Sequence, residues 1–85
     1  MSLKLYLVSC ELLYPDGDYA SLREKLRTLG ATQVLEAQWA LRSTYTARQI
    51  RDTLRQFLDE QDRITVTEMG QERASRGAKA DLSGL

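Results

Sequence analysis

From Leu3 to Leu13 nearly every position is apolar, with Leu3, Leu5 and Leu7 alternating against Tyr6 and Val8 and only Lys4 charged before Glu11. Both alternating sets are strand formers, so the pattern predicts a strand that needs cover on both faces. Tyr14-Pro15-Asp16-Gly17 carries turn chemistry, with φ fixed at Pro15 and a positive φ permitted at Gly17, and Asp18 is placed to cap a helix. That helix is expected from about Tyr19, because Tyr19, Leu22, Leu26 and Leu29 fall on one stripe, and Gly30 ends it. Next, Val34-Leu35 and Trp39 with Leu41, separated by the polar patch Glu36-Ala37-Gln38, predict two strands in a tight hairpin without an Asn-Gly signal. Thr46-Ala47-Arg48-Gln49 matches a capping box and opens a second helix whose Ala47, Ile50, Leu54, Phe57 and Leu58 share a face. Asp59 to Asp62 makes a turn, and Arg63 to Met69 alternates as a last strand.

The order is β-α-β-β-α-β, which predicts an α+β, ferredoxin-like fold: a four-stranded antiparallel sheet with two helices on one face. The other face has no helix, yet it is expected to carry Tyr6, Val8 and, depending on register, Trp39 or Leu41. An exposed apolar face of this kind marks an interface, so a homodimer through that face is expected. The ferredoxin-like domain spans 1–70. Residues 71–85, "QERASRGAKADLSGL", hold mainly small and charged residues and read as a flexible C-terminal tail unless a partner orders them.

At 85 residues the chain is one domain, and a core of that size seldom supplies more than roughly 3–5 kcal/mol without a staple or a partner. A single cysteine forms no internal disulfide, and the absence of His excludes a zinc cluster and a His-based triad, leaving oxygen ligands for any metal. No stretch approaches the roughly 20 apolar residues of a membrane span and no signal-peptide pattern opens the chain, so a cytoplasmic protein is expected. Lys plus Arg and Asp plus Glu number 12 each, so nucleic-acid binding would need a local patch rather than a global field.

Such a patch is available. Arg48, Arg51 and Arg55 form a stripe opposite Ile50 and Leu54 on the second helix, and Arg23 and Arg27 are four apart on the first. Both stripes suit phosphate contact along a groove, or serve as solvated helix faces interleaved with Glu24, Asp52 and Asp59. Arg42, near the end of the third strand, is a further phosphate candidate and could lie near Glu11. Trp39 could stack a base, though a core or interface tryptophan is the plainer reading. Arg73, Arg76 and Lys79 give the tail a modest positive bias. Ser9 and Ser43 have no general base to activate them, and Cys10 packs as a small hydrophobe. Gly30 and Gly70 stand singly, so there is no Gly-rich phosphate loop.

Three runs, "KLYLVSCELLYPDGDYASL", "LGATQVLEAQWALRS" and "IRDTLRQFLDEQDRITVTEMG", together resemble the SinR-like group of small proteins. These are relatives of the CRISPR-associated adaptation endonuclease, the smaller of the two spacer-acquisition proteins, and more distantly of VapD. The resemblance covers residues 3 to 70. It implies a ferredoxin-like homodimer that is a metal-dependent nuclease on RNA or DNA, or else a non-catalytic nucleic-acid-binding or scaffold subunit with an adaptation-complex partner. A toxin-like module with a protein partner is a further alternative. In the family the first strand ends Tyr-Asp, and the Asp of each protomer holds a divalent ion at the dimer axis. Cys10-Glu11 stands at those positions, so the resemblance assigns Glu11 the metal and catalytic role, with Mg²⁺ or Mn²⁺ activating water for attack on a phosphodiester. A Glu pair without metal would repel and raise at least one pKa.

Overall fold

The chain is described by a computed structural model over residues 2–13 and 19–85. The turn at Tyr14-Pro15-Asp16-Gly17 and the Asp18 cap lie outside the described residues. Strand β1 (Lys4–Glu11) is followed by helix α1 (Ala20–Thr28), the hairpin β2 (Thr32–Leu35) and β3 (Gln38–Ser43), helix α2 (Ala47–Arg55), and β4 (Arg63–Glu68). The sheet order is β2-β3-β1-β4 with every neighbour antiparallel. This arrangement is compatible with a ferredoxin-like fold.

Local chemistry sets the element ends. Gly30 takes φ +85°, and the Gly30 N–H donates to the Arg27 carbonyl while the Ala31 N–H donates to the Leu26 carbonyl, each at 3.0 Å. That pair of bonds is a Schellman close, which satisfies carbonyls the end of α1 would otherwise orphan. At α2 the Thr46 Oγ1 accepts from the Gln49 N–H at 3.1 Å and the Gln49 Oε1 accepts from the Thr46 N–H at 2.9 Å, so the capping box is complete. The hairpin turns through Glu36-Ala37. Among the described residues no non-glycine has positive φ, so the turn is not a primed one, and a bulge between Gln33 and Leu35 takes up the register instead.

Register decides which apolar residues face the helices. Tyr6 stands opposite Leu41 and Val8 opposite Trp39, and these four join Tyr19, Leu22 and Leu26 at α1 and Ile50 and Leu54 of α2 in one buried cluster. The expectation that the helix-free face carries Tyr6, Val8 and either Trp39 or Leu41 is therefore corrected. A strand apolar at both parities fits its helix layer either way, and the partners on β3 settle it. Tyr6 still satisfies its hydroxyl there, donating to the Tyr45 carbonyl at 2.9 Å.

The helix-free face carries a second, smaller cluster. Leu5, Val34 and Ala40 are buried beneath Met69, Ala78, Leu82 and Leu85. Residues 71–85, read from their composition as a flexible tail, place Ala78, Leu82 and Leu85 against the sheet. The Lys79 N–H donates to the Val34 carbonyl at 2.7 Å, at the bulge. Arg73 gathers the segment by donating to the carbonyls of Gly70, Leu82 and Leu85 at 2.7, 2.9 and 2.8 Å. A few apolar residues suffice because backbone and guanidinium bonds fix where they land. The rest of that face is polar: by register it presents Ser9, Glu11, Arg63, Thr65 and Thr67 beside Leu7. Among the described residues no helix is long and apolar enough to cross a membrane.

Candidate functional site

The densest basic run on one element is the flank of α2 that carries Arg48, Arg51 and Arg55. At 3.6 residues per turn Arg48, Arg51 and Arg55 fall within an arc of about 60° and span roughly 10 Å of helix. All three are exposed, on a flank centred about 110° round the helix from the buried Ile50 and Leu54. Arg51 is held by Asp52 at 2.8 Å, whereas among the described residues Arg48 and Arg55 have no ion pair. The capping box starts the helix at Ala47 and so fixes the angular position of the stripe. On α1, Arg27 is spent on a bidentate bond to Glu24, with its Nη2 2.7 Å from both carboxylate oxygens.

Arg42 does not join either group. It is exposed and stands opposite Leu5, on the helix-free face and at the far end of β1 from Glu11. Six strand steps separate Leu5 from Glu11, roughly 20 Å. Arg42 therefore neither neutralises Glu11 nor extends the α2 stripe. Trp39 is only 6% exposed within the helix-side cluster, which removes it as a stacking platform.

Glu11 ends β1 opposite Arg63, whose Nη1 lies 3.5 Å from its Oε1, and both side chains are largely exposed. The pair lines a shallow cleft of about 310 Å³ with Ser9, Cys10, Ile64 and Thr65. Ser9 Oγ accepts from Gln38 Nε2 at 3.1 Å and has no base beside it. Burial, and secondarily the charge of Asp62, push the Cys10 thiol up to about 11, so it stays protonated at neutral pH and packs against the core. Among the described residues no three His, Cys, Asp or Glu side chains group where they could hold a metal ion. One carboxylate facing a guanidinium is not a donor set for Mg²⁺ or Mn²⁺, which surround themselves with oxygen. The residues of a single chain do not fit that ion.

Sequence reasoning assigned Asp62 to a turn and missed its larger part. Its Oδ1 accepts from the Leu13 N–H at 2.5 Å and from the Tyr19 hydroxyl at 3.1 Å, and its Oδ2 accepts from the Asp59 N–H at 2.7 Å. Partial desolvation pulls this carboxyl up, but the bonds from Leu13, Asp59 and Tyr19 outweigh it and hold it below the ordinary value. Asp62 thereby ties the end of β1 and the start of α1 to the turn before β4. No family model, curated protein or solved structure matches this chain.

Proposed function

We propose that the protein binds nucleic-acid phosphate through the exposed face of α2, as a non-catalytic binding or scaffold subunit. The observation that carries this reading is the stripe of Arg48, Arg51 and Arg55, three guanidiniums on one rigid helix with a single carboxylate, Asp52, paired among them. Arginine presents a planar fork that matches phosphate oxygens two at a time, so a short row of them positions a backbone without reading sequence. Labelled single-stranded RNA and double-stranded DNA are titrated with wild type and with the triple variant Arg48→Gln, Arg51→Gln, Arg55→Gln. The triple variant is expected to bind at least tenfold more weakly at low salt and to keep the wild-type circular dichroism; equal binding by both proteins retires the stripe.

A second reading is a metal-dependent endonuclease on RNA or DNA, formed by two copies stacked through the helix-free face. What favours it is the position of Glu11, exposed at the end of β1 on the polar half of that face. Two such carboxylates brought together would supply what one chain lacks. Incubation of the same nucleic acids with Mg²⁺, Mn²⁺ or EDTA separates the readings. Metal-dependent cutting that Glu11→Gln abolishes establishes the nuclease; intact substrate with undiminished binding leaves the binding protein.

A further inference from the structure

The two edges of the sheet are built differently. β2 is four residues long, bulged at Val34, and has its freed carbonyl covered by the Lys79 N–H. These are the devices by which proteins close an edge against foreign strands. β4 has none of them. It is six residues of Arg63-Ile64-Thr65-Val66-Thr67-Glu68, without Pro, Gly or a bulge in its pairing to β1, and charged only at its ends. Among the described residues no segment pairs with its outer side.

The backbone phase of that edge is set by its inner pairing. Met69 stands in register opposite Leu5 and its N–H donates to the Leu5 carbonyl at 2.8 Å, so the odd residues of β4 exchange hydrogen bonds with β1. The N–H and C=O groups of Ile64, Val66 and Glu68 consequently point outward. A two-fold axis perpendicular to the sheet keeps each residue on its own face, so an antiparallel pair of identical strands must centre on a residue facing its own copy. Centring on Val66 sets Ile64 against Glu68. Centring on Thr65 sets Ile64 against Val66 twice, on the helix side, with Arg63 against Thr67 on the other side. In that register Ile64 and Val66 are hydrogen-bonding pairs, giving four N–H···O=C bonds from groups on the unpaired side of β4. Ile64 and Val66 are half-buried beside the core cluster, so the pairing also completes their burial.

We propose that a second copy of this chain pairs with β4, antiparallel and centred on Thr65, to make one continuous sheet of eight strands. Helices stay on one side of such a sheet. Because α2 packs over β4, the two α2 helices flank the axis. The dimer does not depend on whether the arginines of α2 bind phosphate.

The test is sedimentation across a concentration series, combined with amide exchange resolved at β4. A dimer is expected in which the Ile64 and Val66 amides gain protection as it forms. Val66→Pro removes two of the donors without touching the β1 ladder and is expected to sediment as a folded monomer. Should that variant fail to fold, Thr65 serves: Thr65→Lys and Thr65→Glu are each expected to be monomeric, because like charges meet at the axis, and an equimolar mixture is expected to dimerise. A chain that remains monomeric at millimolar concentration overturns the proposal. So does a dimer whose Ile64 and Val66 amides exchange as fast as in the monomer, as a stack through the helix-free face would give.

Discussion

Asp62 shows what one exposed-looking carboxylate does when three donors converge on it. Its bonds to Leu13, Tyr19 and Asp59 behave as a helix cap does, and loss of such an acceptor costs about 1 kcal/mol. Asp62→Asn is expected to lower stability by about that amount at pH 7 in a urea titration. The depressed carboxyl gives its pH dependence a definite sign. Its contribution is fully present above the ordinary value of 3.8, declines as pH falls below that value, and is gone once pH passes the lower folded value. Wild type and Asp62→Asn should therefore converge in strong acid; a gap independent of pH would show that the charge is not what holds the loop. Sequence reading could not find this role, because the partners Leu13 and Tyr19 lie 49 and 43 residues away. Glu11 is the reverse case: its place at the strand end was legible, and its pairing with Arg63 awaited the β1–β4 register.

At the scale of elements, signals confined to neighbouring residues were read correctly. Thr46 and Gln49 form the capping box their spacing announces, and Gly30 closes α1 in the left-handed conformation. A methyl group at Gly30 would meet no atom within 4 Å, so Gly30→Ala tests backbone strain alone. It is expected to cost about 1 kcal/mol and to lower the melting temperature while leaving the sheet intact. An unchanged melting temperature would mean that Gly30 is not held at positive φ. The hairpin was legible from the gap between Leu35 and Trp39, but the bulge at Val34 was not, since it depends on how β2 and β3 slide past each other. The face assignment of β1 failed for the same kind of reason: with apolar residues at both parities, only pairing with Leu41 and Trp39 tells the two faces apart.

Across the whole molecule, the core divides between the helix layer and the C-terminal segment, which covers Leu5, Val34 and Ala40. Removing residues 71–85 is expected to uncover that patch and to raise binding of an apolar dye severalfold; unchanged dye fluorescence would show that the segment does not cover the sheet. Composition hid this cover, because a tail poor in apolar residues needs only Ala78, Leu82 and Leu85 in the right places. Composition also hid the charge geometry, since a chain with zero formal net charge still gathers three arginines on one helix face and leaves Arg42 on the other side of the sheet. The most direct test of phosphate binding by α2 is the salt dependence of nucleic-acid affinity for wild type and for the triple arginine variant. Deleting one arginine that touches a phosphate takes about one unit off the slope of log affinity against log salt. The variant is expected to bind with a slope shallower by about three per protomer; parallel lines for the two proteins would contradict the assignment.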